Sequence, residues 1–245
     1  MYTIQTLNKI SDVIYEALPA ETYQVSDAQS APDAVLVRSA AMHELPVPPS
    51  LLAVARAGAG VNNIPVAEYT KRGICVFNTP GANANAVAEL VDGDAVRAAL
   101  ADGRLATYVT DFPTDDMLGV KGVICIPHLG ASTPESEDNC ARMAAEQLRE
   151  YLENGSIRNS VNLPDMALGS PEGSRLQIIH DNAPGLVSRI SAVISREKLN
   201  IVNMLNKSRG EVAVTVLEVS EAPGEALLAE LSALEQVARV RLVTQ

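Results

Sequence analysis

The sequence predicts an α/β protein with two units: a larger N-terminal unit built on a parallel sheet, and a smaller C-terminal unit with the element order βαββαβ. Two observations carry this prediction. Short apolar runs alternate with helical runs over the first 90 residues, which is typical of βαβ units and a parallel sheet. A stretch rich in Pro, Gly and Ser at 164–174 then indicates a linker.

The N-terminal elements follow in order: a strand at 35–39, an apolar run at 51–57 that ends in a glycine turn, a helix at 66–73 and a strand at 74–78. In parallel sheets, ligands bind beyond the carboxyl ends of the strands. Arg38, Ser39 and the segment 78–81 therefore lie at the predicted binding edge.

The middle of the chain predicts a helix at about 86–103 and strands at 105–111 and 123–127, the second of which leads directly to His128. A long amphipathic helix follows at 134–154. Ser132 or Thr133 is suited to cap that helix, Pro134 suits its first turn, and Gly155 ends it.

The sequence pattern of the C-terminal unit predicts four strands and two helices. The strands are at 176–180, 200–207, 211–219 and 237–243, and the helices are at 184–198 and 224–233. This order is that of a ferredoxin-like split βαβ sheet. Because two helices cover only one face of such a sheet, its open face or its edge is expected to pair with another copy.

Composition excludes several classes of function. A net charge of -11 argues against nucleic acid and anionic membranes as partners, since both would be repelled. No apolar stretch approaches the ~18 residues that span a bilayer, and the N-terminus has no signal-peptide core, so the cytoplasm is expected. Cys75, Cys125 and Cys140 are odd in number and widely spaced, which predicts buried core thiols in a reduced compartment.

The chain carries no glycine fingerprint for a dinucleotide. Such a site needs the pattern G-x-G-x-x-G between a strand and a helix, because only glycine lets backbone amides reach the pyrophosphate. Gly58 and Gly60 form the nearest run, with Ala59 between them, but the third glycine is missing and a turn ending at Pro65 follows. More often, such a pair merely makes a tight turn.

Several residues are candidate contacts for a phosphate or a carboxylate: Arg38, Ser39, Arg56 and the backbone amides of Gly58, Ala59 and Gly60 through Asn62. Both arginines are equally explained as ordinary surface charges. His128 stands in the segment 126–133, and an imidazole is suited to acid–base work near neutral pH. A single histidine at a strand end is also often structural.

Three motifs give these candidates a context: the segments 56–64, 83–90 and 127–133. In this order they resemble the D-isomer-specific 2-hydroxyacid dehydrogenases of the 3-phosphoglycerate dehydrogenase type, and the C-terminal unit resembles an ACT domain. The resemblance implies a flavodoxin-like substrate-binding domain at 1–90 and 128–163 and an ACT regulatory domain at 175–245. It also implies that 91–127 is a truncated remnant of a Rossmann nucleotide-binding domain.

The remnant is too short for that domain. Two βαβαβ halves need roughly a hundred residues or more, whereas 37 residues, 91 to 127, separate Leu90 from His128. The resemblance therefore implies loss of the glycine fingerprint, the ribose-binding acid and the family's catalytic arginine, which neither Arg97 nor Arg104 matches. NAD serves the intact family, and tight NAD binding by this chain is not expected.

The resemblance also assigns roles to individual residues. His128 matches the acid/base that exchanges a proton with the substrate hydroxyl, and Asp115 stands where the family has a partnering glutamate, with a side chain one methylene shorter. Asn83 matches a polar residue of the substrate cleft. In the ACT domain, His180, Asn182 and Asn200 match effector contacts, which bind L-serine across a subunit interface in serine-regulated members. A turn-capping role alone equally explains His180 and Asn182.

Two functions remain open from the sequence. The first is NAD-dependent oxidation of 3-phospho-D-glycerate to 3-phosphohydroxypyruvate in L-serine biosynthesis, an activity that belongs to the intact family architecture. The alternative is a non-catalytic module that binds a phosphorylated hydroxy acid, binds serine or dimerises. Because the remnant leaves a sheet edge and an apolar face uncovered, a homo-oligomer is expected.

Overall fold

A computed structural model of the 245-residue chain describes residues 1–82, 92–110, 113–126, 133–171 and 173–243. The N-terminal unit is a five-stranded parallel sheet with the strand order β2-β1-β3-β4-β5. This is the flavodoxin-like order, as predicted. Its strands are β1 Tyr2–Leu7, β2 Tyr23–Ser26, β3 Ala34–Val37, β4 Ala53–Arg56 and β5 Cys75–Phe77, and two helices, α1 Ile14–Ala17 and α2 Val66–Lys71, connect them.

Both faces of this sheet are buried, which is why its strands read as continuous apolar runs. One face packs against α2 in a cluster that includes Val54, Tyr69 and Ile74. The other packs against the long helix α4, Pro134–Asn154, in a cluster that includes Leu36 and Leu148. The sheet edge that holds the candidate site is therefore fixed by packing on both sides.

Local signals define α4. The Thr133 side chain accepts a hydrogen bond from the backbone N–H of Ser136 at 3.2 Å, and Pro134 is the first helical residue. The helix ends at Gly155, whose φ of 77° lies in the left-handed region. The sequence prediction for this helix is confirmed, with Thr133 as the cap.

The middle segment, defined as residues 92–126, contains α3 Gly93–Ala101 and a two-stranded parallel sheet of β6 Tyr108–Thr110 and β7 Val123–Cys125. Both strands are shorter than predicted, because among the described residues they pair only with each other and over three residues. Cys75 and Cys140 are buried, but the prediction of a buried thiol is wrong for Cys125, which is exposed. The sheet that carries Cys125 has no further strand beside it among the described residues.

The C-terminal unit has the predicted βαββαβ order: β8 Ser174–Asp181, α5 Leu186–Arg196, β9 Ile201–Arg209, β10 Val212–Val219, α6 Glu225–Ser232 and β11 Val237–Val243. Its antiparallel sheet has the order β11-β8-β10-β9, which is the ferredoxin-like arrangement. Both helices pack on one face, in a cluster that includes Leu176, Ile190 and Leu231.

The same chain covers the open face of this sheet, so the expectation that this face pairs with another copy is wrong, while pairing through the sheet edge stays a prediction. Ile179, Val214 and Val216 share one apolar cluster with Leu148 and Tyr151 of α4. We call this contact the seam. The segment 164–171 joins it, since fully buried Met166 exchanges two backbone hydrogen bonds with Ile157, each of 2.8 Å.

Polar side chains of the C-terminal sheet complete the seam by capping the end of α4. The last carbonyl groups of a helix lack intrahelical partners and carry partial negative charge. Arg241 donates to the carbonyl of Tyr151, Arg175 donates to that of Asn154 at 2.6 Å, and Gln177 donates to that of Gly155 at 2.7 Å. The C-terminal unit therefore stabilises the same helix that packs on the parallel sheet.

No helix in the described part of the chain is both long and apolar enough to span a membrane.

Candidate functional site

The candidate site lies where β3, β4 and β5 end at the same edge of the parallel sheet. Val37 is the register partner of Arg56, so Arg38 leaves β3 directly beside the loop that follows β4. We call residues 57–60 the glycine loop. β5 leads into Asn78 and Thr79 on the far side of this loop.

Hydrogen bonds from both sides hold the glycine loop. The Asn78 side chain donates to the carbonyl of Ala59 at 2.6 Å, and the backbone N–H of Thr79 donates to the carbonyl of Gly58 at 3.1 Å. The Nε of Arg56 donates to the carbonyl of Arg38 at 2.9 Å. The loop is thus supported by the ends of all three strands.

The guanidinium of Arg56 lies against the glycine loop, and Gly60 leaves room for it. A Cβ atom at Gly60 would stand 2.8 Å from Nη1 of Arg56, closer than a carbon and a nitrogen can approach without displacement. Burial lowers the pKa of the half-buried Arg56, while the electrostatic influence of Cys140 acts in the opposite direction. Arginine titrates far above neutral pH, so the group is cationic.

The glycine loop also presents backbone donors. The amide N–H groups of Ala59 and Gly60 donate to no acceptor in the described part of the chain, and both residues are exposed. Two exposed amides beside a guanidinium form a positive surface, an arrangement suited to a phosphate or a carboxylate.

The other predicted cation is already paired. Nη2 of Arg38 lies 2.6 Å from Oε1 of Glu137, a residue of the first turn of α4. The backbone N–H of Ser39 donates to the side chain of Asn8 at 3.1 Å. An anion at this point must therefore compete with Glu137 for Arg38.

Two further charged residues lie here that the sequence pattern did not single out. A small cavity of about 20 Å³ lies between Arg38, Ala57, Glu137 and Lys9, so Lys9 adds a cation and Glu137 an acid to this edge. The helix dipole alone favours an acid in the first turn of a helix. The sequence pattern therefore did not mark Glu137 as a site residue. Only its long-range contact with Arg38 reveals its place.

The predicted catalytic residues are only partly described. His128 and Asn83 lie outside the described residues. Asp115 is exposed and begins a short 3-10 helix, Asp115–Met117. Its neighbour Asp116 forms an ion pair with Arg97. The pairing of Asp115 with His128 therefore stays a prediction.

The described residues do not fit a dinucleotide. The glycine loop is followed by a turn, and the next helix, α2, begins only at Val66. At the start of α3, the carboxylate of Asp92 accepts hydrogen bonds from the N–H groups of Asp94 and Ala95 at 3.0 and 3.2 Å. A pyrophosphate there would find these donors occupied and would meet a negative charge.

The predicted effector residues lie at two ends of the C-terminal sheet. His180 is buried, and its two ring nitrogens contact the carbonyl of Asp181 and the hydroxyl of Thr215, each at 2.7 Å. Asn182 is exposed and donates to the carbonyl of Gly210 at 3.1 Å, just beyond the end of β9. Asn200 precedes the start of β9, whose nine residues extend over roughly 26 Å, so it lies at the far end of the sheet from Asn182.

Comparison with protein families gives two matches. Residues 2–162 match the model of the D-isomer specific 2-hydroxyacid dehydrogenase catalytic domain. Residues 176–239 match an AHAS small subunit-like ACT domain. The C-terminal unit is thus an ACT domain by sequence as well as by strand order.

Among curated proteins, the chain is 30% identical over 166 residues to the D-3-phosphoglycerate dehydrogenase of Haemophilus influenzae and 29% identical over 167 residues to that of Escherichia coli. Each alignment covers 63% of this chain but only 40% and 41% of the respective relative. Among solved structures, the 3-phosphoglycerate dehydrogenase of Entamoeba histolytica aligns over 66% of this chain and 98% of its own, with a TM-score of 0.50 and 16% identity. That structural likeness concerns the fold alone.

Proposed function

The chain belongs to the D-isomer specific 2-hydroxyacid dehydrogenase family, a family of oxidoreductases, and we propose that it retains acid binding and ACT-mediated regulation without hydride transfer. The observation that carries this proposal is the glycine loop with the guanidinium of Arg56 beside it, in a chain whose described residues do not fit a dinucleotide. The chain spans about two fifths of the length of the Haemophilus influenzae and Escherichia coli relatives.

The proposed ligand is a three-carbon acid with a phosphate group, 3-phospho-D-glycerate or 3-phosphohydroxypyruvate. The names of the curated relatives support this choice. The guanidinium of Arg56 and the amides of the glycine loop supply the donors that a phosphate or carboxylate accepts. The proposed parent reaction is the NAD-dependent oxidation of 3-phospho-D-glycerate in L-serine biosynthesis.

Within that reaction, His128 is the proposed acid/base and Asp115 its proposed carboxylate partner, with Asn83 at the substrate. A nicotinamide cofactor supplies the hydride chemistry in the family. We propose that this chain alone does not perform the redox step, because its sequence lacks the glycine fingerprint and α3 begins at an acidic cap.

The proposed domain organisation follows the sequence motifs. It comprises a substrate-binding domain at 1–90 and 128–163, a nucleotide-domain remnant at 91–127, a linker at 164–174 and the ACT regulatory domain at 175–245. A cytoplasmic location and a homo-oligomeric state belong to the same proposal.

A second function concerns an amino-acid effector, with L-serine as the proposed ligand. Asn182 and Asn200 lie at opposite ends of one ACT sheet, so a single site containing both requires two chains related by a two-fold axis. This separation favours the alternative in which the ACT domain joins two copies around the effector. His180 contributes by fixing the turn, since both its nitrogens already have partners.

Calorimetric titration with 3-phosphoglycerate tests the acid-binding proposal. Gly60→Ala places a methyl group against the guanidinium of Arg56 and is expected to weaken binding about tenfold, the cost of one charge-assisted hydrogen bond. Gly224→Ala is the matched control, because its Cβ would meet open space. Absence of binding by the unmodified chain, or equal binding by both variants, would contradict the proposal.

A further inference from the structure

A sizeable cavity lies at the seam, apart from the glycine loop. It has a volume of about 370 Å³ and opens between α4, the segment 156–168 and β9 of the ACT domain. That volume is within the range of small-molecule sites, which extends from about 300 to 1,000 Å³. It borders none of the predicted site residues.

One part of the cavity wall is apolar. Ile157 is 1% exposed and Met166 is fully buried, and both are fixed by the backbone pairing between them. Met143 and Leu168 extend the same surface. Methionine side chains adapt readily to the shape of an aliphatic group.

The remaining lining carries charges of both signs. Glu146 and Glu150 come from successive turns of α4 and Asp165 from the segment 156–168, while Arg158 and Lys207 provide cations. Neither Glu146 nor Arg158 forms an ion pair with another residue in the described ranges. Lys207, on β9, donates from Nζ to the carbonyl of Asp165 at 3.0 Å, which leaves its other two protons for a ligand.

We propose that this cavity binds an aliphatic α-amino acid. The ammonium group meets the carboxylates of α4, the carboxylate meets Lys207, and the hydrocarbon side chain packs on the apolar wall. A simple anion would be repelled by the acids, and a simple cation would leave Lys207 unmatched. A zwitterion with an apolar side chain complements all three parts of the lining.

This site goes beyond the proposed function, since it uses neither the glycine loop nor the turn that contains Asn182. Its ligand would touch α4 and the ACT domain together. Binding would therefore depend on the seam, and a ligand bound there would stabilise the contact between the two units.

Calorimetry and thermal unfolding of the full 245-residue chain with L-leucine test the proposal. The matched probes are isopentylamine, which lacks the carboxylate, and 4-methylpentanoate, which lacks the ammonium group. L-leucine is expected to bind at least tenfold more tightly than either, and to raise the unfolding temperature. Ala167→Trp, a change at an exposed residue of the cavity lining, should abolish binding without unfolding the protein.

Charge variants locate the ligand. Lys207→Met and Glu146→Gln should each weaken the binding of L-leucine about tenfold. The control variants Lys121→Met and Glu235→Gln, at exposed positions outside the cavity lining, should leave that binding unchanged. Gly60→Ala should also leave L-leucine binding unchanged. This control distinguishes failure of the present proposal from failure of the acid-binding proposal. Absence of L-leucine binding, binding that survives Ala167→Trp, or loss of binding in Asn182→Ala instead would overturn the proposal.

Discussion

The parallel sheet of the N-terminal unit and the two-stranded sheet of the middle segment are built from the same kind of strand but differ in burial. Val54, on β4, is fully buried, whereas Val109 on β6 and Ile124 on β7 are about half exposed, at 50% and 51%. The five-stranded sheet has α2 on one face and α4 on the other. The comparison shows that an apolar strand pattern predicts a strand, while burial depends on which neighbours the rest of the chain supplies.

Truncating a leucine in each region gives the largest expected contrast. Leu148 is fully buried in the core that α4 shares with both units, so Leu148→Ala should lower the free energy of unfolding by about 3 kcal/mol. Leu118, in the middle segment, is 58% exposed, and Leu118→Ala should change it by less than about 0.5 kcal/mol. Chemical denaturation measures both values. Equal losses would show that the two regions are packed alike.

The seam predicts a similar contrast between two arginines. Arg241 is buried, donates to the carbonyl of Tyr151 and stands 4.2 Å over the ring of that residue. Arg241→Met should cost about 2 kcal/mol of stability, because it leaves carbonyls at the end of α4 without a donor. Arg104→Met, in the middle segment, removes only an exposed pair with Asp102 and should cost less than about 0.5 kcal/mol. Equal shifts of the denaturant midpoint in the two variants would contradict the stabilising contribution assigned to the seam.

Exposure of the middle segment predicts self-association through its apolar sheet. Ile124→Lys should raise the dissociation constant about tenfold, because a lysine opposes burial of that face. Leu45→Lys changes an exposed leucine of a loop and serves as the control. Sedimentation velocity over a concentration series measures both. A monomeric unmodified protein, or no difference between the variants, would refute this role for the sheet.

The smallest expected effect is a pH-dependent change in stability from an ion pair at the seam. Hydrogen bonds from Arg175 and Asn203 lower the pKa of Glu218 below its ordinary value of 4.5, since both favour the carboxylate. A carboxyl group with a lowered pKa in the folded state stabilises the fold above the unfolded value and loses that contribution as the pH falls. Glu218→Gln should therefore cost about 1 kcal/mol at pH 7. The gap from the unmodified protein should narrow as the pH falls below 4.5.

Thermal unfolding of both proteins between pH 3 and pH 7 measures this difference. A gap that stays constant over the range would contradict the role assigned to the carboxylate.

Elements with local signals were predictable from the sequence. Thr133, Pro134 and Gly155 act on α4 through their own backbone geometry, so both ends of that helix followed from the residue types. The ferredoxin-like order of the ACT domain followed in the same way from the alternation of strands and helices. Only β9 and β10 are consecutive partners in that sheet, and the pairing of β8 with β10 and β11 is the one that the ferredoxin-like fold specifies for this order.

Features that depend on distant partners were not predictable. Arg175 and Arg241 lie on strands, where a cation usually faces solvent, and only the docked end of α4 shows why they are buried. Arg38 was identified as an anion contact, but its ion pair with Glu137 requires the packed position of α4. Cys125 was expected in a core, yet its sheet has too few neighbours to cover it.

The most direct test of the central claim is NADH oxidation with 3-phosphohydroxypyruvate by the purified 245-residue chain, beside the same chain carrying His128→Ala. Calorimetric binding of 3-phosphoglycerate confirms beforehand that the preparation is folded and competent. We expect no turnover above the blank from either protein. Turnover by the unmodified chain that His128→Ala abolishes would show that a cofactor site exists in this polypeptide and would contradict binding without hydride transfer.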